Sequence, residues 1–400
     1  NILFYPARYH KSYSSIFALG DICDIIPNDT ADVCILEEPE HLNWYRAPGS
    51  SSWTSKFSHC VGVIHTNYKA YARDHARAGF LAAPLLAGVN SLVVQANCHR
   101  VVKLSGVLQE FGATSECVEN VHGIRETYLK EGQRRQCSTT ERTTQNRRRA
   151  YFIGKLLWAK GFDQLLELET SFRDRTGEYF EIDIFGSGPD EDEIKRAFSD
   201  DQSSDGILNS YINKWSNSGS SSRGLPIPAN FMGRLDHSEL AGDAYSIFVN
   251  PSLTEVLCTT TAEAIAMGKW VIIPSHPSNA FFEQFPNCLP YRNRRQFVSR
   301  LKYALNNDPP HLTEELASLL SWEAATMRCV RAAAISKREA ARNERIARMK
   351  EEKKLSKTIS GLFSGYKEGE IGMNLRGSPT SLSSSSEPTD YGSIGLTTPG

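Results

Sequence analysis

Two carboxylates flank a predicted strand-to-helix turn in the second half of the chain. Glu255 and Glu263 are separated by seven residues, and a short apolar run over 246–250 predicts a buried strand before them. Thr260 lies three residues before Glu263, the spacing of a capping box, which predicts a helix that has Glu263 in its first turn. The free N–H groups of such a turn favour a diphosphate, and carboxylates beside it suit sugar or ribose hydroxyls. A helix cap and an ordinary loop carboxylate are the alternative.

Two lysines follow another predicted strand, at 150–153. Lys155 and Lys160 stand between Gly154 and Gly161. A diphosphate that leaves a sugar gains negative charge, and two ammonium groups could stabilise that charge in a water-poor cleft. Lysines at this spacing are also common at exposed helix starts, but the two glycines and the position after a strand favour the diphosphate.

Three further loops are candidates for contact with the same ligand. Gly186 and Gly188 form a Gly-x-Gly turn after a predicted strand, which lets backbone approach a ligand or simply reverses the chain. Gly233 and Arg234 follow the next strand. His65 comes directly after an apolar run, where its imidazole could contact a sugar or phosphate; a backbone-bonded core histidine is the alternative. Three other histidines are predicted to be structural: His41, His59 and His122.

The composition predicts two domains with extensions. Four hundred residues exceed the usual single-domain size, and 40% hydrophobic residues suffice for sizeable cores. A net charge of −1 gives no attraction towards nucleic acid, which is not expected as a partner. Nine cysteines without a C-x-x-C pair argue against a disulfide framework or zinc site and favour a reducing compartment. No apolar run reaches the roughly 18 residues of a spanning helix, so any membrane association is expected to be peripheral.

Strand-like and helical patterns alternate in two series, which predicts two Rossmann-like α/β halves with ligands at the carboxyl ends of parallel strands. The first series has segments at 2–5, 32–36, 60–65, 69–87, 92–95 and 116–121. The second has strands at 150–153, 181–185, 230–232, 246–250 and 270–273, and helices at 162–172, 190–198, 261–267 and 279–285. The predicted regions are Rossmann-like domains at 1–131 and 150–330, a linker or insertion at 132–149, a charged helical extension at 331–354 and a disordered tail at 355–400.

The Glu-x7-Glu pattern before Ala-x-Gly resembles the donor signature of retaining glycosyltransferases of the family-4 type, which have the GT-B fold. The resemblance implies an acceptor-side N-terminal domain and a nucleotide-sugar-binding C-terminal domain whose parallel sheets face a central cleft. It assigns Glu255 to the donor sugar, Glu263 to the ribose, and both lysines to the diphosphate. Many members have glycine at the position of Cys258. The implied catalytic residues are Glu255, His65 and Lys160, and the implied donor-binding residues are Gly154, Lys155, Lys160, Gly186, Gly188, Gly233, Arg234, Leu257, Cys258, Thr259 and Glu263.

Longer stretches look like plant and algal digalactosyldiacylglycerol synthases. They lie at 35–45, 63–68, 120–123, 155–161, 257–264, 276–279 and 285–289, and the similarity extends over about 1–330. The resemblance implies transfer of galactose from UDP-galactose to monogalactosyldiacylglycerol with retention at the anomeric carbon, which releases UDP. It also implies no protein nucleophile and no required cofactor or metal, a divalent cation being at most stimulatory. The expected location is peripheral, on the plastid outer envelope membrane.

The chain departs from those relatives at both ends. It opens inside a strand-like run without an initiator Met and lacks the stretch that forms their first strand, so it is expected to be N-terminally truncated. No counterpart is identified for 337–400. Two other functions stay open: another family-4 UDP-sugar-dependent transferase, of glycolipid or sucrose type, and a catalytically degenerate GT-B scaffold.

One predicted helix has a composition suited to a membrane surface. Lys69, Arg73 and Arg77 fall at four-residue steps on one side, and apolar residues follow, among them Leu85 and Leu86. An ordinary half-buried helix is the alternative.

Overall fold

The computed structural model describes residues 2–11, 15–46, 49–70, 79–112, 115–137, 149–199, 226–242 and 244–367. The chain divides into two compact units, Asn1–Ala347 and Arg348–Gly400, and the strands of the described residues all lie in the first.

The first lobe is built on a four-stranded parallel sheet in the order β3-β4-β5-β6. Its strands are β3 (Val33–Glu37), β4 (His59–Ile64), β5 (Arg100–Lys103) and β6 (Glu116–Val118), and an antiparallel hairpin of β1 (Ala7–His10) and β2 (Ser15–Ala18) precedes them. Its helices are α1 (Pro39–Asn43), α2 (Trp53–Lys56) and α3 (Gly79–Asn97). The central strand β4 is buried along its whole length, as expected for a parallel strand covered on both faces.

The second lobe is built on a six-stranded parallel sheet in the order β12-β11-β10-β7-β8-β9. Its strands are β7 (Arg149–Ile153), β8 (Ile182–Phe185), β9 (Ala229–Gly233), β10 (Tyr245–Val249), β11 (Trp270–Pro274) and β12 (Cys288–Tyr291). Its helices are α4 (Glu126–Cys137), α5 (Phe162–Thr176), α6 (Glu191–Ser199), α7 (Thr259–Ala266), α8 (Arg294–Asn306) and α9 (Glu314–Ser318). Counted within the lobe, this is the 3-2-1-4-5-6 order of a doubly wound fold, whose ligands bind where the strand order reverses. That point lies between β7 and β10.

Two hydrophobic cores cover the faces of the second sheet. Phe152 and Ile247 belong to one core, while Tyr151 and Phe248 belong to the other. Successive residues of β7 and β10 therefore enter opposite cores, because side chains alternate between the faces of a sheet. The predicted fold class, α/β with two Rossmann-like parallel sheets, is confirmed.

Two segments of the chain, one at α4 and one at α10 (Trp322–Ala333), connect the two lobes. Helix α4 follows the first sheet, yet Tyr128 is buried in a core of the second. Helix α10 returns to the first sheet: a ring nitrogen of His59 lies 2.9 Å from the Ala333 carbonyl oxygen, and Arg100 donates to the Ala332 carbonyl over 3.0 Å. The predicted boundary at 131 therefore lies inside α4, a helix that packs in the second lobe, and the boundary at 330 lies inside α10.

Three element predictions are wrong. The strand-like run at 2–5 forms no strand, and the first strand is Ala7–His10. The apolar run at 92–95 belongs to α3, and the strand it was expected to form lies further on, at Arg100–Lys103. A short apolar run does not distinguish a strand from part of a helix. The helix expected at 279–285 is instead two 3₁₀ turns, Pro277–Asn279 and Phe282–Gln284. The Asn279 side chain donates to the Pro274 carbonyl, which fixes the chain in this tighter path.

The linker predicted at 132–149 and the tail predicted at 355–400 also need correction. Helix α4 extends to Cys137, because its Tyr128, Gly132 and Arg135 form a buried face that its many polar residues hide in the sequence. Helix α11 (Lys337–Lys367) continues beyond residue 355, where the disordered tail was predicted to begin. No proline interrupts this helix, and each added residue adds a backbone hydrogen bond. Residues 138–148 and 368–400 lie outside the described residues. Among the helices that the structure describes, none is long and apolar enough to cross a bilayer.

Candidate functional site

The loops that follow β7 and β10 dock onto each other where the strand order reverses. Gly161 has a φ of +86°, and a Cβ there would lie 2.8 Å from the carbonyl carbon of Pro251. The Thr254 hydroxyl donates to the Ala159 carbonyl over 2.5 Å. This close approach needs a glycine, and it holds the 3₁₀ turn Trp158–Lys160 against the start of the second loop.

The docked loops bring Lys160 and Glu255 together. Lys160 Nζ lies 2.6 Å from Glu255 Oε1, and the two side chains are 30% and 16% exposed. They stand 95 residues apart in the chain, and sequence analysis assigns them to the diphosphate and the sugar of one ligand. A diphosphate bound at this point would compete with Glu255 for the ammonium group, because both are anionic hydrogen-bond acceptors.

Glu263 lies on the helix that follows the Glu255 loop. Helix α7 begins at Thr259 with Cys258 at its N-cap, so Glu263 is the fifth helical residue, and the capping box predicted for Thr260 is wrong. The Thr260 hydroxyl lies 3.1 Å from the Cys258 sulfur. Helix α7 thus starts one residue before Thr260, and Val256 in the preceding loop joins the core of the first lobe.

Glu263 has a partner that sequence analysis did not identify. Its Oε2 lies 2.7 Å from Nδ1 of His237, whose Nε2 lies 2.9 Å from the Tyr151 hydroxyl. His237 opens the 3₁₀ turn His237–Leu240 after β9 and is only 5% exposed. Its partners are 26 and 86 residues away in the chain, so no local spacing reveals the contact.

The glycines of the neighbouring loops pack against backbone. A Cβ on Gly186 would lie 1.8 Å from the Gly154 carbonyl oxygen, and one on Gly188 would lie 2.2 Å from that of Leu156. The Gly186 N–H donates to the Gly233 carbonyl over 2.7 Å. These glycines bring the loops after β7, β8 and β9 together, and direct contact between them and a ligand stays a prediction.

The other predicted donor-binding residues lie on the same edge of the second sheet. Lys155 and Arg234 are exposed, in the loops after β7 and β9. Leu257 is half-buried and packs against cores of both lobes. Burial raises the pKa of the Cys258 thiol, and Thr259 is exposed at the first position of α7. The carboxyl edge of β7–β10 therefore gathers the predicted donor residues of this lobe.

His65 lies in the first lobe, directly after β4. Its Nε2 is 3.4 Å from Glu37 and its Nδ1 is 2.9 Å from Glu38. Hydrogen bonds with Glu37 and Glu38 raise the pKa of His65 to about 10, so the imidazole is a cation at neutral pH. Its side chain is 42% exposed. A cation here can attract a phosphate or a developing negative charge.

Glu38 holds His65 from a strained backbone position. Its φ of +52° is the only positive value at a non-glycine residue among those described. Its Oε1 accepts the backbone N–H of His65 over 3.0 Å as well as the ring. Residues in such sparsely populated conformations cluster at functional sites, where surrounding contacts maintain them.

His122, for which sequence analysis predicts a structural role, has surroundings to which both lobes contribute. Burial lowers the pKa of His122, while the charge of Glu263 in the second lobe raises it and that of His65 in the first lowers it. Its ring packs edge-on against Trp322, with centroids 4.9 Å apart. His122 therefore lies where charges of both lobes act on it. Across the described ranges, no group of three or more side chains has the arrangement of a metal site.

Comparison with solved structures defines the class of the protein. The chain superposes on α,α-trehalose 6-phosphate synthase from Burkholderia multivorans with a TM-score of 0.50, at 8% identity, over 78% of this chain and 73% of that one. At this identity the likeness concerns the fold alone. Two lobes built on parallel sheets, the second with a doubly wound strand order, define the GT-B fold.

Comparison with curated sequences defines the family. The chain is 40% identical over 328 residues to digalactosyldiacylglycerol synthase 1, chloroplastic, of Glycine max, which covers 82% of this chain and 38% of the relative. It is 38% identical over 339 residues to digalactosyldiacylglycerol synthase 2, chloroplastic, of the same species, covering 84% of this chain and 66% of the relative. No protein-family profile matches the chain. The chain belongs to the digalactosyldiacylglycerol synthase family and spans less than two thirds of the length of these relatives.

The two carboxylates beside His65 generate a prediction about its charge. Glu38→Gln should lower the pKa of His65 from about 10 towards its ordinary value near 6.5, because it replaces the closer and more buried carboxylate. His65 has a higher pKa in the folded chain than in the unfolded chain. These contacts therefore add their full contribution to the free energy of unfolding below pH ~6.5, and that contribution is lost as the pH rises through about 10. NMR titration of labelled histidines measures this pKa. The remote variant Glu126→Gln is the control, and a pKa unchanged by Glu38→Gln would contradict the geometry.

Proposed function

We propose that the chain transfers galactose from UDP-galactose to monogalactosyldiacylglycerol, giving digalactosyldiacylglycerol and UDP. The observation that carries this proposal is the contact between Lys160 and Glu255 at the strand-order reversal. It joins a cation suited to a diphosphate with a carboxylate suited to sugar hydroxyls. The chain belongs to a family whose curated members are named digalactosyldiacylglycerol synthases, and this membership supplies the choice of donor and acceptor.

The donor is proposed to lie along the carboxyl edge of the second sheet. Glu263 accepts hydrogen bonds from the ribose hydroxyls, Lys155 and Lys160 bind the diphosphate, and Glu255 binds the galactose hydroxyls. Lys160 is 30% exposed, so it can leave Glu255 for the diphosphate with little movement of the backbone. Glu255 is then free to accept from the sugar.

The chemistry proposed is a front-face transfer. The bond between the anomeric carbon and the diphosphate oxygen breaks, and an oxocarbenium-like centre forms. The acceptor hydroxyl attacks from the same face, its proton passes to the leaving phosphate oxygen, and the product is α-linked. Lys155, Lys160 and the cationic His65 stabilise the charge that UDP gains, so neither a protein nucleophile nor a resident metal has a required role.

The acceptor is proposed to enter over the first lobe, at a membrane surface. Both Glycine max relatives are named chloroplastic, and the proposed location is the outer envelope of the plastid, with peripheral attachment. Helix α3 supports this attachment because it has no charged residue in 19 positions. Leu85, Val89 and Leu92 are 72%, 44% and 69% exposed, and their spacing places them on one face of the helix. Leu86 is half-buried, Lys69 is exposed, and the predicted basic partners Arg73 and Arg77 lie outside the described residues.

The full chain tests the activity directly. It is incubated with UDP-galactose and vesicles that contain monogalactosyldiacylglycerol, and the linkage of the product is determined. The expected product carries an α-linked second galactose, with release of UDP. UDP binding without turnover would indicate a scaffold, and turnover only with UDP-glucose or another acceptor would indicate a different family-4 transferase.

Glu255→Gln separates chemistry from donor binding. The variant should lower kcat by about a hundredfold or more, because it removes a charge that contacts the reacting sugar. UDP affinity, measured by calorimetry, should stay within about threefold, since Lys160 remains available to the diphosphate. Glu178→Gln, an exposed carboxylate of the same lobe, is the matched control. Equal loss of transfer and UDP binding would contradict the assignment of Glu255 to the sugar.

The exposed face of α3 predicts vesicle binding. Leu85→Glu combined with Leu92→Glu should lower the partition of the chain onto galactolipid vesicles by about tenfold or more. Each leucine that the bilayer buries contributes about 1.5–3 kcal/mol to the binding free energy. Co-sedimentation measures the bound fraction. The control replaces Met327 and Val330, an exposed apolar pair on α10, with glutamate. Equal loss in the two double variants would count against α3 as the membrane-facing element.

A further inference from the structure

A chain of three polar groups runs through a core of the second lobe and ends at Glu263. The Tyr151 hydroxyl lies 2.9 Å from Nε2 of His237, and Nδ1 of His237 lies 2.7 Å from Glu263 Oε2. Tyr151 is fully buried and His237 is 5% exposed. The Glu263 side chain is 16% exposed and is therefore the only one of the three that solvent or a ligand can reach.

Packing alone does not account for a histidine at this position. The rings of Tyr128, Tyr151 and Phe248 surround the imidazole, with centroids 5.7–6.0 Å from it. A polar ring in such surroundings destabilises the core unless both nitrogens have partners. Both have partners here, and one of those partners is a carboxylate that faces the candidate donor site.

The hydrogen-bond pattern fixes the tautomer of His237. An ionised Glu263 can only accept, so Nδ1 carries the proton and donates it, and Nε2 then accepts from the Tyr151 hydroxyl. Burial lowers the pKa of His237, which favours this neutral form. One oxygen of Glu263 is thereby held by the imidazole, and the other keeps a defined direction towards a ligand.

The turn that carries His237 is anchored on two sides. Asp236 and Glu239 form a capping box, and Arg125 donates to Asp236 over 2.8 Å. The buried Lys269 ammonium group donates to the carbonyls of Leu240 and Tyr245 over 2.7 and 2.6 Å. His237 therefore has little freedom to move away from Glu263.

We propose that His237, held by Tyr151, is a positioning residue that orients Glu263 and so makes the donor site select ribonucleotides over 2′-deoxyribonucleotides. This inference rests on the proposed function, because it takes Glu263 as the carboxylate that binds ribose. His237 does not touch the nucleotide. It acts by keeping the Glu263 carboxylate aimed at the ribose hydroxyls, because a freely rotating carboxylate would meet them in only part of its orientations.

The test measures the affinities of UDP and 2′-deoxy-UDP by calorimetry. The wild-type chain should bind UDP about ten to a hundred times more tightly than 2′-deoxy-UDP. This ratio corresponds to the free energy of one hydrogen bond to a charged group. His237→Leu should reduce this preference to about twofold, and Tyr151→Phe should reduce it by about threefold. His237→Asn, which keeps an N–H donor near the position of Nδ1, should retain most of it. His311→Asn, an exposed histidine of the same lobe, is the control.

Turnover provides a second readout that loss of folding would not mimic. His237→Leu should raise KM for UDP-galactose by about tenfold and leave kcat within about twofold, because ribose lies away from the reacting carbon. A fall in kcat without a change in KM would overturn the positioning role.

The outcomes distinguish the inference from the function beneath it. A wild type that does not bind UDP, or binds both nucleotides equally, would overturn the assignment of Glu263 and the inference with it. A wild type that discriminates, together with a His237→Leu variant of unchanged preference, would overturn the inference alone. If His237→Leu does not fold, Tyr151→Phe decides by the same criterion: a reduced preference supports the proposal and an unchanged one overturns it.

Discussion

The contact between Lys160 and Glu255 is the interaction on which the candidate site depends. It exists because two loops that follow neighbouring strands, β7 and β10, approach within van der Waals distance, and Gly161 permits that approach. The doubly wound strand order places those strands side by side, and the helices that follow them pack on opposite faces of the sheet, which leaves a crevice at the strand ends. A positive and a negative group at this point match the two halves of a nucleotide sugar, a diphosphate and a hydroxyl-rich ring.

The two lobes contribute different electrostatics to the crevice. The second lobe presents the carboxylates of Glu255 and Glu263, and a buried histidine holds Glu263 there. The first lobe presents His65, which Glu37 and Glu38 keep protonated. His122 lies where charges of both lobes act on it, and Val256 carries the Glu255 loop into the first-lobe core. The loop that carries Glu255 is therefore tied to both lobes.

Five of the six strands of the second sheet, β7 to β11, could be predicted because they are short runs rich in apolar residues, and glycine or asparagine follows β7, β8 and β10. Glu255 and Lys160 could be placed near each other because each follows a strand of this sheet, and their roles towards a ligand stay predictions. The start of α7 could not be predicted, because the three consecutive threonines at 259–261 offer equivalent places for a helix to begin. The run at 92–95 was misassigned because an uncharged helix and a buried strand have similar local composition. The contacts of His237 were missed because its partners are distant in the chain. The end of α4 was missed because its polar residues outnumber the residues of its buried face.

The most direct measurement is a crystal structure of the full chain with UDP. We expect the diphosphate to lie between Lys155 and Lys160 at the carboxyl ends of β7 and β10. Lys160 Nζ should then contact a phosphate oxygen and lie well beyond its present 2.6 Å from Glu255. UDP bound at another surface, or a Lys160 that stays paired with Glu255 while the diphosphate lies elsewhere, would contradict the account.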